Sequence, residues 1–100
     1  MINSKQRAQL RAMANSIDTI VQIGKGGITE NVVSQVSGAL STRELIKGRV
    51  LEASGLTARE AADILCEECG ADTVQTIGSR FVLYKESKDI EKDKRIRLVK

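Results

Sequence analysis

Hydrophobic and polar residues follow one another along the chain with two periods, one typical of helices and one typical of strands. The first pattern predicts an amphipathic helix over roughly Ser4 to Ser16, with Ser4 as its N-cap. Its apolar positions are Leu10, Met13, Ala14 and Ile17. The next segment, Thr19 to Ile23, is short, β-branched and almost continuously apolar, which predicts a central strand covered on both faces.

Two further helices are predicted from capping residues and apolar stripes. The second helix begins after a Thr29 cap and ends near Ser41 or Thr42. Its stripe consists of Val32, Val33, Val36, Ala39 and Leu40. The third helix follows the capping box Thr57-Ala58-Arg59-Glu60 and stops at Gly70. Its apolar face consists of Ala61, Ile64, Leu65 and Cys69.

The segment Glu44 to Leu51, between these two helices, predicts a second strand. Its alternation places basic side chains on one face and apolar side chains on the other, with Lys47 and Arg49 opposite Ile46 and Val50. Gly48 weakens this strand locally, because glycine has no side chain to pack.

The last two strands complete an α/β fold. They span Thr73 to Ile77 and Arg80 to Glu86, and Gly78-Ser79 between them suits a type II′ hairpin turn. The order α-β-α-β-α-β-β predicts a two-layer sandwich with a mixed four-stranded sheet. We expect residues 1–87 to form one domain. Residues 88–100 alternate in charge, which predicts a solvated helix extension or a loose tail.

The charge of the chain is compatible with an anionic partner. The formal net charge is +3, and the pI is about 9.1. The basic excess is concentrated in the first thirty residues, where Lys5, Arg7, Arg11 and Lys25 outnumber Asp18 and Glu30. Arg7 and Arg11 stand one helical turn apart, which is unfavourable unless a carboxylate or an external anion lies nearby. Only Phe81 and Tyr84 are aromatic, which disfavours single-strand binding by base stacking.

Secreted, membrane, metal-binding and catalytic functions find little support in the sequence. There is no signal-peptide pattern and no stretch near the roughly 20 apolar residues that span a bilayer, so we expect a cytoplasmic protein with reduced thiols.

A structural zinc needs about four ligands, whereas the chain has no histidine and only two cysteines. We expect Cys69 to pack in the core and Cys66 to be a partly exposed thiol; a redox pair or an intermolecular zinc site is the alternative. Without histidine an enzyme is the least favoured class, and we expect no catalytic residue, metal or cofactor.

The motif with the clearest chemistry is Gly24-Lys25-Gly26-Gly27, between a predicted strand and a predicted helix. Glycines let backbone amides approach an anion, the helix N-terminus can meet a phosphate, and Lys25 adds a charge. An isolated G-x-x-G is more often only a tight turn that needs a positive φ. The spacing excludes a Walker loop, and the dinucleotide fingerprint is incomplete because position 29 is threonine.

Several sequence blocks, in the same order, resemble one known family. They lie between about Ser4 and Glu86 and are Lys5-Gln6-Arg7 with Leu10-Arg11, Val21 to Thr29, Glu44 to Lys47, Gly70-Ala71, Val74 to Gly78, and Phe81 to Tyr84. The family is that of the single-domain YhbY proteins, bacterial relatives of the chloroplast RNA splicing and ribosome maturation (CRM) domain. Two positions depart from its pattern: Gly26 stands where a larger polar residue is common, and Gly48 where an apolar residue is common.

The resemblance implies an RNA-binding domain. Its fold would be similar to the C-terminal domain of bacterial translation initiation factor three, and its glycine loop to that of KH domains, which clamps nucleic-acid backbone. The resemblance also implies a role with large-subunit precursors, and hence ribosomal RNA or a pre-ribosomal particle as partner. The candidate RNA-binding residues are Gly24, Lys25, Gly26, Gly27, Lys5, Arg7, Arg11, Lys47 and Arg49.

We expect the protein to be monomeric and to bind neither a membrane nor a small-molecule substrate. The alternative hypothesis is a protein-interaction domain that docks on a ribosomal protein through the Val32 helix or the sheet face. In that case the basic residues would serve only solubility.

Overall fold

The computed structural model describes residues 2–100, which fold into three helices and four strands. The helices are α1 (Ser4–Ala14), α2 (Glu30–Arg43) and α3 (Ala58–Cys69). The strands are β1 (Thr19–Ile23), β2 (Leu45–Val50), β3 (Asp72–Ile77) and β4 (Arg80–Tyr84). The predicted order α-β-α-β-α-β-β is confirmed. The first residue of the predicted domain 1–87 lies outside the described residues. No helix in residues 2–100 has the length and apolar character needed to cross a bilayer.

The start of α1 is fixed by a residue that the sequence pattern did not single out. The side chain of Asn3 accepts a hydrogen bond from the Gln6 amide at 2.8 Å, and the Gln6 side chain accepts one from the Asn3 amide at 3.0 Å. This reciprocal pair is a capping box. The prediction of Ser4 as the cap is therefore wrong, because Ser4 is the first helical residue. The helix also ends at Ala14 rather than at Ser16.

The other two helices begin at the predicted caps. The hydroxyl of Thr29 accepts from the third amide of α2, and Thr57 and Glu60 form the predicted capping box of α3. Gly70 ends α3 with a φ of 71°, a value that favours glycine. Helix α2 continues to Arg43, slightly beyond its predicted end.

The four strands form one mixed sheet in the order β1-β2-β4-β3. Strand β1 is parallel to β2, whereas β4 is antiparallel to both β2 and β3. The predicted mixed sheet is confirmed, but the prediction that β1 is central is wrong, because it is an edge strand. Gly78 has a φ of 57°, which fits the predicted hairpin turn between β3 and β4.

Helices cover both faces of the sheet, so the predicted sandwich gains a third layer. Helices α2 and α3 pack over the larger core cluster on one face. Helix α1 packs on the opposite face against β2, β3 and β4. The buried side chains of the cluster between α1 and the sheet are Ile2, Leu10, Ala14, Leu45, Val74, Val82 and Tyr84. One face of the sheet is thus only partly covered, and that face carries the polar and basic side chains of the candidate site.

Gly48 in β2 lies directly beneath the ring of Phe81 in β4. The two residues are cross-strand partners, and Phe81 is fully buried. A Cβ added to Gly48 would lie 2.2 Å from Phe81 Cζ and 2.6 Å from Cε1, far inside ordinary contact distance. The glycine therefore makes room for the largest of the fully buried side chains. This packing explains a residue that the sequence pattern marked only as a local weakness.

Glu44 is a buried carboxylate that ties the C-terminal segment to the core. Its φ is 63°, the only positive value at a non-glycine residue in residues 2–100. One carboxylate oxygen accepts from the Ser87 amide at 2.8 Å, and the other accepts from the Ile96 amide at 2.7 Å. These donors satisfy a charge that would be costly to bury alone. The predicted start of the second strand at Glu44 is wrong, since this residue is the C-cap of α2.

The last residues lie along α1. The side chain of Gln6 donates to the Val99 carbonyl at 2.9 Å. The side chain of Gln9 donates to the Arg97 carbonyl and accepts from the Val99 amide, each at 2.8 Å. The apolar side chains that pack beside α1 are Ile96 and Leu98. The prediction of a loose tail is therefore wrong for residues 96–99, whereas the predicted domain boundary after residue 87 stays a prediction.

Candidate nucleic-acid interface

The glycine loop forms one tight turn between β1 and α2. The amide of Gly27 donates to the carbonyl of Gly24 at 2.9 Å, and Gly27 has a φ of 69°. The loop is anchored beside the end of β2, where the Leu51 amide donates to the Ile23 carbonyl at 2.8 Å. Gly27 is thus the residue of the motif that needs glycine for its backbone conformation.

The turn leaves two of its amides free to meet a ligand. Within residues 2–100, the amides of Lys25 and Gly26 donate to no protein acceptor, and both residues are exposed. The Gly27 amide is not free, because the turn itself uses it. Gly26 has open space around its Cα apart from a Thr29 methyl group 3.8 Å from an added Cβ. An anion could therefore approach the turn at Lys25 and Gly26.

The start of α2 is less open to anions than the predicted mechanism assumes. Glu30 is exposed in the first turn of the helix, where its carboxylate interacts favourably with the helix dipole. The Thr29 hydroxyl already caps the Val32 amide at 3.3 Å. The turn and Lys25 are therefore better placed than the helix N-terminus to receive a phosphate.

Three cations occupy the exposed part of the sheet face that α1 covers only in part. Lys47 and Arg49 alternate along β2 and point to the α1 side, as predicted. Arg80, at the start of β4, is the cross-strand partner of Arg49 and was missed by the sequence reasoning. Gln22 in β1 pairs with Arg49 from the other side. Arg49 therefore lies between β1, which leads into the glycine loop, and Arg80.

Among the described residues, these cations have no carboxylate partners. No ion pair in residues 2–100 involves Lys25, Lys47, Arg49 or Arg80. The Nε atom of Arg49 is buried and finds no hydrogen-bond acceptor among the described residues. A buried donor without an acceptor is unusual and calls for an explanation.

Helix α1 adds a basic row beside β3. Arg7, Arg11 and Asn15 are four residues apart and so lie along one side of the helix. Arg7 Nε donates to the Thr73 carbonyl at 3.3 Å, and Asn15 lines a small cleft together with Gln75. Both ends of the row are thereby placed against β3, and Arg11 lies between them.

Lys5 lies elsewhere on α1. It is exposed and stands one turn before Gln9, whose side chain binds the C-terminal segment. The structure therefore does not bring Lys5 into the row of Arg7 and Arg11.

The two cysteines are placed as structural thiols. Cys66 is partly buried, with its Sγ 3.1 Å from Thr73 Oγ1, and Cys69 is buried with its Sγ 3.8 Å from the Val33 carbonyl. Burial raises the pKa of both thiols above the usual value, so neither is an activated thiolate near neutral pH. The predicted packing of Cys69 and partial exposure of Cys66 are confirmed.

Known proteins resemble this chain over most of its length. The family model described as the CRS1 / YhbY (CRM) domain matches residues 2–85. A Bacillus subtilis protein named "Probable RNA-binding protein YqeI" is 42% identical over 89 residues, which cover 89% of this chain and 93% of that protein. A Haemophilus influenzae protein named "RNA-binding protein" is 34% identical over 88 residues, covering 88% of this chain and 89% of its own length.

A solved structure shows the same fold. It is the solution structure of a Staphylococcus aureus protein described as "a putative RNA binding protein". That protein is 42% identical to this chain, with a TM-score of 0.77. The match covers 99% of this chain and 100% of the other.

Proposed function

Since the chain belongs to the CRS1/YhbY (CRM) domain family, we propose that it is an RNA-binding protein that holds the phosphate backbone of structured RNA at its glycine loop. Two relatives carry RNA binding in their names, which supports the general function. The observation that carries the mechanism is the Gly24 to Gly27 turn, where Lys25 and Gly26 are exposed and their amides donate to no acceptor among residues 2–100. Free amides and a lysine at the tip of a turn suit a phosphate.

Cations on the α1 side of the sheet would extend the contact with the backbone beyond the loop. Lys47 and Arg49 lie on the neighbouring strand β2, and Arg7 and Arg11 lie along α1. Each can neutralise a phosphate in a largely sequence-independent manner. Lys5 faces a different side of α1, so we assign it no more than a long-range electrostatic role.

The partner that the family resemblance favours is ribosomal RNA or a pre-ribosomal particle. We propose that the protein acts in large ribosomal subunit assembly, as a cytoplasmic monomer without catalytic activity. Under the alternative hypothesis, a protein-interaction domain would use the apolar stripe of α2 as one docking surface. The apolar stripe of α2 packs into the core cluster through Val32, Val36 and Leu40 instead of facing outward.

The test replaces Lys25 by alanine and measures the affinity for a fluorescently labelled RNA hairpin at several salt concentrations. Loss of one phosphate contact should weaken binding and lower the slope of log affinity against log salt by about 0.7 to 0.9. Because the lysine contacts no base in this mechanism, hairpins of different sequence should lose affinity by a similar factor.

Lys94→Ala is the matched control, since Lys94 is exposed in the C-terminal segment and pairs only with Glu91. It removes the same charge and should change the slope little. Retained affinity with altered sequence preference in Lys25→Ala would contradict the backbone mechanism. A wild-type affinity that does not depend on salt would count against RNA backbone binding altogether.

A further inference from the structure

We propose that Arg49 and Arg80 form, with Lys47, a second phosphate-binding site on the sheet face, separate from the glycine loop. This inference rests on the proposed RNA-binding function and specifies a second contact within it. The ligand is a backbone phosphate of the RNA that the loop holds.

The first support is the register of the two arginines. Arg49 and Arg80 are direct cross-strand partners on the antiparallel strands β2 and β4, so their side chains leave the same face of the sheet. Like charges directly opposite each other destabilise a sheet. Lys47, two residues before Arg49 on the same face, adds a third positive charge. An anion held between these side chains would turn the repulsion into attraction.

The second support is the unsatisfied Nε atom of Arg49. Its Nε is shielded from solvent, yet no acceptor lies within hydrogen-bond distance in residues 2–100. Arginine presents its donors in a planar fork that matches two oxygens of a phosphate. Since residues 2–100 provide no acceptor for this Nε, a phosphate that draws the Arg49 side chain toward the open face would supply one.

The third support is the cleft beside these cations. Lys47 and Arg80 line it together with Asn15 and Gln75, whose side-chain amides can donate further hydrogen bonds. Its volume is about 140 Å³, well below the range of about 300 to 1,000 Å³ typical of sites for whole small molecules. The cleft therefore suits a single phosphate group better than a free nucleotide or a cofactor.

The position of the cluster indicates why the phosphate belongs to the same RNA. Gln22 pairs with Arg49 in the parallel ladder, and the glycine loop begins two residues after Gln22. With a rise of about 3.3 Å per strand residue, Gly24 follows Gln22 by only about 7 Å along β1. A backbone seated on the loop can continue across β2 to Arg49 and Arg80 without leaving the surface.

The experiment compares Arg80→Gln with Arg97→Gln in the full chain. Both arginines are exposed, but Arg97 lies in the C-terminal segment, on the side of α1 where Gln9 binds it. With the labelled RNA hairpin, Arg80→Gln should lower the salt slope by about 0.7 to 0.9. Its affinity deficit relative to the wild type should therefore shrink about threefold between 50 and 200 mM salt. Arg97→Gln should leave the slope near the wild-type value.

A second measurement isolates the site from the loop. Inorganic phosphate is titrated into ¹⁵N-labelled protein while the Nε–Hε resonance of Arg49 is followed by NMR. A saturable shift is expected in the wild type and in Lys25→Ala, and it should be lost in Arg80→Gln.

The outcomes separate this inference from the proposed function. Normal RNA binding with an unchanged salt slope in Arg80→Gln would overturn the second site while leaving the loop mechanism intact. A phosphate shift at Arg49 in a protein that fails to bind RNA would support the anion site and refute the RNA-binding proposal. A shift that persists in Arg80→Gln would show that the two arginines do not act together.

Discussion

Gly48→Ala should destabilise the protein, although alanine is ordinarily better than glycine within a strand. The new Cβ would lie 2.2 Å from Phe81 Cζ, whereas carbon atoms pack at about 3.5 to 4.0 Å, so the ring must move by roughly 1.5 Å. Phe81 is fully buried in the core cluster beneath α2 and α3, so a shift of its ring disturbs closely packed neighbours. Overpacking of this kind costs about 1 to 3 kcal/mol, and the tight fit favours the upper end of that range.

The gain from removing a flexible glycine offsets part of this cost. That gain is about 0.5 to 1 kcal/mol, which leaves a net destabilisation of about 2 kcal/mol. For a domain of this size, the melting temperature should fall by roughly 8 to 16 °C. Urea unfolding should show a lower midpoint with an unchanged slope, because the surface exposed on unfolding hardly changes.

A matched control and a rescue sharpen the test. Gly38 lies on the exposed face of α2, and nothing stands within 4 Å of an added Cβ. Gly38→Ala should therefore stabilise the protein by up to about 1 kcal/mol, the opposite sign for the same chemical change.

Phe81→Leu removes the ring atoms that obstruct the new Cβ. The double variant with Gly48→Ala should thus be more stable than the sum of the two single changes predicts. Equal or greater stability of Gly48→Ala alone would refute the reasoning.

Three other sites give outcomes that separate binding roles from structural ones. Replacing Gly26 and Gly27 together by Asp should abolish RNA binding while the protein still folds, at a cost in folding stability of about 1 to 2 kcal/mol from the positive φ at Gly27. Wild-type affinity in the folded variant would exclude the loop as the binding site. Replacing Cys66 and Cys69 by Ala should preserve RNA affinity. Because burial raises the pKa of both thiols, iodoacetamide should modify them slowly in the wild type until the pH exceeds their ordinary pKa of 9.0, and rapid alkylation at pH 7 would contradict this. Glu44→Ala should lower the free energy of unfolding by about 2 to 5 kcal/mol and speed amide hydrogen exchange in residues 87–100; unchanged exchange would show that other contacts hold this segment.

Local signals predicted the helices and strands well because their causes lie within a few residues. The capping box of Thr57 and Glu60 and the stop at Gly70 each depend on contacts within one helical turn. The alternation that places Lys47 and Arg49 on one face follows from the strand period alone. These features of the fold and of the candidate site could be read from the sequence.

Features set by distant parts of the chain could not be predicted. The edge position of β1 arises because the late strand β4 pairs with β2 and β3 and not with β1. Arg80 joins the candidate site only through its register with Arg49, thirty-one residues earlier in the chain. The role of Glu44 depends on the Ile96 amide, 52 residues away. In the C-terminal segment, the alternating charges predicted a solvated tail, although Ile96 and Leu98 pack beside α1.

The contact between Gln6 and Val99 brings the first turn of α1 beside the C-terminal segment, at 2.9 Å between Nε2 and the carbonyl oxygen. A short glycine-serine linker could therefore join them without strain, and new termini could be opened elsewhere. The exposed Gly55, between β2 and α3, is a suitable opening because it lies in a surface connection. Such a circular permutant would keep every strand pairing while placing α3, β3 and β4 before α1 along the chain.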